Sequence, residues 1–189
     1  MRKDPTEIKE DYEKSWDEEW AEIHDIYYWR LWPFYKAVER YLHGTVLDIG
    51  CGPGFLAASV FPNQGWFTGV DISGKAIELA QNLFPGARFL KHDAEHDQLP
   101  YRDNSFMTVV CSELLEHLEE HELLLSEMKR VSKKYMVITV PVSMTGVGHV
   151  WPEWSYQDVV DKFGPLGKIL VIHIDLEHNF YLLWIRKEG

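Results

Sequence analysis

The chain has 189 residues, 46% hydrophobic and 26% charged, a length and balance that suit one folded domain and exclude a disordered chain. A formal net charge of −11 repels phosphate backbones, so nucleic acid is a poor partner for it. No apolar run approaches the roughly 18 residues that cross a bilayer, and two cysteines, Cys51 and Cys111, are too few for a disulfide scaffold or a thiolate zinc site.

The start, Met1-Arg2-Lys3-Asp4-Pro5, runs into charged sequence, so no secretory leader is expected, and free thiols fit the reducing cytoplasm. Residues 1–43 are predicted helical. Thr6 is a candidate cap, and Ile8, Tyr12, Trp16 and Trp20 follow at intervals of four, then Ile23 and Tyr27. That spacing lays an aromatic stripe along one helical face. Pro33 suits the first turn of another helix reaching about Leu42.

From Thr45 the pattern becomes short apolar runs. Seven strands are predicted: Thr45–Ile49, Trp66–Val70, Arg88–Leu90, Phe106–Val110, Tyr135–Val140, Lys168–Ile174 and Phe180–Ile185. Helical segments near Phe55–Val60, Lys75–Phe84 and Glu119–Val131, with a short turn at Ser112–Leu118, separate the first five. Such alternation implies parallel βαβ units. Only Asp175–Asn179 joins the last two runs, which allows a hairpin but no parallel crossover. Lys129, Arg130, Lys133 and Lys134 cluster where the helix before the fifth strand ends, and cations there complement its dipole.

The central motif is Val46-Leu47-Asp48-Ile49-Gly50-Cys51-Gly52-Pro53-Gly54, a strand, a glycine turn and then a helix. Glycine lets the backbone bend sharply and lets a ligand approach closely. In an open α/β sheet this first turn, at the carboxyl ends of the strands, is where nucleotide-like ligands bind. A dinucleotide fingerprint would need glycine where Phe55 stands. Pro53 has no amide hydrogen for a phosphate, and no G-K-[ST] follows. The loop therefore suits a nucleoside without a phosphate, with Asp48 placed to attract a cationic group. Asp71, at the end of the second predicted strand, can accept both hydroxyls of a ribose, because Ser73 is available to cap the helix that follows. Asp93, ending the third, can accept from an exocyclic amine such as that of adenine.

Together these residues resemble the class I S-adenosylmethionine-dependent methyltransferases over roughly residues 44–140. The likeness rests on Leu47–Gly54, on Asp71, on Asp93-Ala94, on the run Leu99–Val110 and on Glu113-Leu114-Leu115-Glu116-His117-Leu118. It implies a Rossmann-like α/β three-layer sandwich whose seven-stranded, mostly parallel sheet has an antiparallel last strand. It also implies a single domain, with 1–43 as a helical lid and 44–189 as the core, and S-adenosyl-L-methionine as cofactor. By motif match Asp48, Gly50, Cys51 and Gly52 line the methionine part, Asp71 binds ribose, Ile72 packs on adenine, and Asp93 and Ala94 read its edge. Ser112 and Glu113 border the methionine end.

On the acceptor side the candidate bases are His149, in the loop after the fifth strand, and His117, since imidazole titrates near neutrality. Tyr27, Tyr28, Trp29, Trp32 and Tyr35 are candidates for core packing and for a lid, and Trp151 and Trp154 for the flanks of an acceptor pocket. The sequence is read as an enzyme that methylates an oxygen or nitrogen of a small molecule. Three alternatives stand beside that reading. Glu113, Glu116, His117 and His149 resemble the metal cluster of small-RNA 2′-O-methyltransferases and of a ubiquinone-pathway O-methyltransferase, which would make this a metal-assisted O-methyltransferase. The chain could instead be a non-catalytic, cofactor-binding partner of another methyltransferase, or an NAD-dependent enzyme. Adenine-amino chemistry is set aside, because Cys111-Ser112-Glu113-Leu114 stands where its N/D-P-P-Y/F motif belongs.

Overall fold

All seven predicted runs are strands in the computed structural model, which describes residues 32–60, 65–142, 154–174 and 180–188. They are β1 (Val46–Ile49), β2 (Phe67–Asp71), β3 (Arg88–Lys91), β4 (Phe106–Ser112), β5 (Ser132–Pro141), β6 (Lys168–Ile174) and β7 (Phe180–Arg186). They form one sheet in the order β3-β2-β1-β4-β5-β7-β6. The pairings among β1 to β5 are parallel, and β7 runs antiparallel between β5 and β6, as the short link implied.

The central strands are buried on both faces. Every residue of β1 is buried, which is why its sequence reads as a nearly unbroken apolar run. Leu47 and Ile49 face one apolar cluster and Val46 the other, as the two-residue period of a strand requires. Helices fill both layers. On one side lie α1 (residues 32–39), α2 (Phe55–Ser59) and α3 (Gly74–Leu83), which contribute Phe34, Val38, Leu56, Ile77 and Ala80. On the other lie α4 (Glu122–Val131) and α5 (Tyr156–Phe163), with Leu124, Met128, Val131, Val159 and Phe163. The result is a three-layer α/β sandwich. Cys51 belongs to the first side's cluster and Cys111 to the second's, so the sheet separates the two free thiols.

Three local differences from the sequence reading have physical causes. The stretch after the fifth strand, read from the sequence as a loop, contains α5, nucleated by a capping box. The Ser155 hydroxyl accepts from the Asp158 N–H, and the Asp158 carboxylate accepts from the Ser155 N–H. Helix α4 starts at Glu122 rather than Glu119, because Glu95 Oε1 takes the N–H groups of Glu119 and Glu120 at 2.8 and 3.1 Å and holds the chain in a turn. The basic cluster is also more than a dipole complement. Arg130 reaches away from the helix end and binds Glu127, Asp103 and the carbonyls of Leu99 and Tyr101.

Candidate functional site

After β1 the chain makes its sharp turn on glycines. Gly50, Gly52 and Gly54 have φ of 74°, 50° and 89°, in the left-handed region that a Cβ disfavours. The N–H groups of Gly50 and Cys51 both donate to the Val70 carbonyl, at 2.8 and 3.0 Å, and so tie the loop to β2. Asp71 completes the brace: its Oδ2 accepts from the Gly52 N–H at 2.8 Å and its Oδ1 from the Ser73 N–H at 2.9 Å. Ser73 caps α3 as expected, accepting from Ala76 N–H at 3.1 Å. Asp71 is not left free by that cap, however, since its carboxylate holds the loop in shape. Each carboxylate oxygen can accept a second bond, so the brace and a ribose are compatible.

The surroundings of this loop are acidic and buried. Asp48 is 3% exposed, and burial, then the nearby Asp71, pushes its carboxyl well above the usual carboxylate range. The Cys51 thiol is likewise pushed up by burial and by Asp71 and Asp48. Tyr35 comes in from α1. Its ring stacks on Phe55 at 5.9 Å, and its hydroxyl is made less acidic by burial and by Asp48, Glu113 and Cys51. Tyr35, named as a lid or core residue, therefore belongs to the rim of this pocket.

The end of β4 supplies the opposite wall. Glu113 is half-buried with φ of 52°, and its carboxyl is raised by burial against the lowering bond from Thr139. Glu116, 1% exposed, is raised by burial and by Glu113, and its Oε2 has no hydrogen-bond partner among the described residues. The Ser112 hydroxyl lies 3.0 Å from Thr139 Oγ1. His117 is half-buried in the 3-10 turn Leu115–His117. That turn is anchored by His121, whose Nε2 lies 2.8 Å from the Leu115 carbonyl oxygen.

The end of β3 adds the remaining expected residues. The His92 N–H donates to the Asp71 carbonyl at 2.8 Å, so Asp93 follows directly beside the end of β2. Asp93 Oδ1 lies 3.1 Å from His96 Nδ1, and Ile72 and Ala94 are half-buried. Asp48, Gly50, Cys51, Gly52, Asp71, Ile72, Asp93, Ala94, Ser112 and Glu113 thus all fall at the carboxyl ends of β1 to β4, with Glu116 and His117 adjacent. His149, Trp151, Tyr27, Tyr28 and Trp29 lie outside the described residues. Trp154 does not flank a pocket: it is 3% exposed and packs in the core, its ring 5.8 Å from His121 and 5.5 Å from Phe163. Thr139, buried beneath this site and bonded to Glu113, is a residue that the sequence reading did not name, and a lone threonine inside a strand carries no signal of it. Among the described residues no group of three or more His, Cys, Asp or Glu side chains is arranged to hold a metal ion. A cavity of about 570 Å³, lined by Thr45, Trp66, Arg88, Tyr101 and Phe106, opens at the amino ends of the strands, far from this chemistry.

Known proteins resemble this chain over the segment that carries most of these residues. The methyltransferase-domain family model matches residues 47–138. The ubiquinone biosynthesis O-methyltransferase of Vibrio atlanticus is 29% identical over 139 residues, 69% of this chain and 58% of that protein. Its mitochondrial counterpart from Schizosaccharomyces pombe is 33% identical over 108 residues, 53% of this chain and 38% of that protein. The chain spans about half the length of the curated relatives it matches. Among solved structures, a chain of the complex between the Haloferax volcanii Trm112 methyltransferase activator and a methyltransferase superposes with a TM-score of 0.73 at 15% identity, covering 94% of this chain and 98% of that one. Magnesium protoporphyrin IX methyltransferase from Synechocystis, solved with S-adenosylmethionine, gives 0.68 at 17% identity over 100% of this chain and 99% of its own. The [4+2]-cyclase SpnF also gives 0.68 at 19% identity, over 82% of this chain and 81% of that one, so the fold by itself does not fix a reaction. The matched segment, the glycine turn and the acid-tipped strands in the order β3-β2-β1-β4-β5-β7-β6 make residues 47–138 similar to a methyltransferase domain, with the fold of the class I S-adenosylmethionine-dependent enzymes.

Proposed function

We propose that this protein is an enzyme that binds S-adenosyl-L-methionine and passes its methyl group to an oxygen or nitrogen of a small-molecule acceptor. The observation that carries this reading is the glycine turn clamped by Asp71 beside the buried Asp48, Glu113 and Glu116. Four carboxyl groups around one donor-poor loop repel a phosphate and favour a cationic nucleoside. When bound, the cofactor supplies an electrophilic methyl group on a positive sulfonium.

The chain's own residues have separable tasks. Asp71 accepts from the ribose while holding Gly52 in place. Ile72, Asp93 and Ala94 receive the adenine. Asp48, Gly50, Cys51, Gly52, Ser112 and Glu113 surround the methionine part, where carboxylates complement positive charge. Tyr35, on α1, helps to keep water out, which favours transfer over solvation of the acceptor. His149 and His117 are the candidates to take the acceptor's proton. The O-methyltransferase names of the relatives favour oxygen as the atom methylated. Two buried free thiols suit the cytoplasm, and among the described residues no helix is long and apolar enough to cross a membrane.

Titration calorimetry with S-adenosylmethionine, S-adenosylhomocysteine and NAD tests the reading. Affinity for the first two and none for NAD is expected, with Asp71→Ala at least about tenfold weaker, a loss of roughly 1.4 kcal/mol. No measurable affinity of the unaltered protein for either sulfur nucleoside overturns the proposal. Binding without turnover across a broad panel of phenols and amines, in a protein that copurifies with a second chain, assigns it instead to the non-catalytic partner class.

A further inference from the structure

One buried hydroxyl organises the end of β4. Thr139 Oγ1 donates to Glu113 Oε1 at 3.0 Å and accepts from the Glu113 N–H at 3.1 Å. Ser112 Oγ lies 3.0 Å away, and because the Thr139 proton is already directed at Glu113, Ser112 is the donor of that pair. Thr139 is wholly buried in β5, opposite Ser112 in the strand register. The hydroxyl is therefore saturated: it donates once and accepts twice.

What it holds is a residue in an uncomfortable place. Glu113 has φ of 52°, a conformation that glycine takes freely and a side chain with a Cβ does not. The sequence nevertheless puts a carboxylate there, next to the buried Glu116 and across the pocket from Asp48. Neither the backbone angle nor the crowding of acids helps folding. Strain kept at a pocket residue points to a task for its side chain.

We propose that Thr139 is a positioning residue, whose hydroxyl pins both the main chain and the carboxylate of Glu113 so that the carboxylate serves the cationic methionine end of the cofactor. This rests on the cofactor-binding reading of the pocket. Without the hydroxyl, the Glu113 N–H, its Oε1 and the Ser112 O–H all lose a partner together, and the carboxylate is free to turn away. Ser112 supports the same anchor by donating to Thr139.

The test is S-adenosylhomocysteine affinity and thermal melting of the full chain. Thr139→Val keeps the branched shape and strand preference of the side chain and puts a methyl group in place of the hydroxyl, and it should weaken binding about tenfold. Thr139→Ser keeps the hydroxyl and should stay within about twofold of the unaltered protein, a rescue that a mere packing role does not predict. Glu113→Gly should lose as much affinity as Thr139→Val, yet melt at or above the unaltered protein, because it relieves the backbone and the crowding of carboxyls. Adding Thr139→Val to Glu113→Gly should cost no further affinity. The proposal falls if Thr139→Val binds as tightly as the unaltered protein, or if Thr139→Ser is as weak as Thr139→Val. Should Thr139→Val fail to fold, Glu113→Gly binding undiminished overturns it instead. If the unaltered protein binds no sulfur nucleoside, the broader functional reading falls and takes this one with it.

Discussion

Gly69 has no room for a methyl group. A Cβ built there would lie 2.7 Å from Cys51 Sγ and 2.8 Å from Phe89 Cδ1, in the space where the glycine loop rests on β2. Gly69→Ala should therefore destabilise the protein by about 1–3 kcal/mol, the usual range for overpacking, and weaken cofactor binding at the same time by pushing Cys51 and the loop outward. Urea unfolding and calorimetry read the two effects. Adding Cys51→Ala removes the Sγ contact, leaving those to Phe89 Cδ1 and, at 2.9 Å, to the Cβ of residue 51, and should recover part of both losses; no recovery would place the strain elsewhere. Gly69 gave no warning in the sequence, since a lone glycine in a strand can mean many things. Asp71 was legible as a ligand residue from its place after the glycine turn. Its second task, bracing that turn through Gly52, was not, because a side-chain bond to a backbone group 19 positions away leaves no periodic trace. Thr139 was hidden for the same reason.

At the scale of elements, the strands were legible and their fastening was not. Buried parallel strands must be apolar, so the central ones declare themselves as runs, and the short β6–β7 link fixes the one reversal of direction. Helix α5 was missed although Ser155, Asp158, Val159 and Phe163 spell a cap followed by a buried face. The link between β3 and β4 contains no helix among its described residues, and a side-chain clamp from α4 holds it instead. Glu127 is 3% exposed; it accepts from the Leu99 N–H at 2.8 Å and from Arg130 Nε and Nη2 at 2.7 and 2.6 Å. Arg130 then donates to the carbonyls of Leu99 and Tyr101 at 3.0 and 2.7 Å and to Asp103 at 2.9 Å. Arg130→Ala leaves a buried carboxylate and two carbonyls short of donors, so a loss of about 2–4 kcal/mol in urea unfolding is expected. Arg130→Lys should recover little of it, because an ammonium cannot reproduce the planar fork. A lysine variant as stable as the unaltered protein would mean that charge alone holds the link.

The whole molecule concentrates acid where it expects a cation. Asp48, Glu113 and Glu116 are all held above the usual carboxylate range, mainly by burial, with Asp71 adding to the first and Glu113 to the last. A carboxyl whose folded pKa is raised stabilises the fold below its unfolded value of about 4, and that contribution is lost as pH rises through the folded pKa. The empty protein should therefore melt at a lower temperature at pH 9 than at pH 6, and the net charge of −11 works in the same direction. The comparison starts at pH 6 because burial, with Lys162 adding, lowers the His121 pKa, which costs stability in more acidic solution. Bound S-adenosylmethionine brings positive charge to the same carboxyls and favours their ionised forms. Its stabilising shift in melting temperature should then grow from pH 6 to pH 9, and binding near neutrality should release protons. Calorimetry in buffers of different ionisation enthalpy measures that release. S-adenosylhomocysteine lacks the sulfonium charge and should show a smaller pH dependence, and Asp48→Asn should flatten the profile of the empty protein. A ligand-induced shift that is constant or shrinking over this range would mean that the acids are already ionised in the empty pocket, and that its charge is balanced by something other than the cofactor.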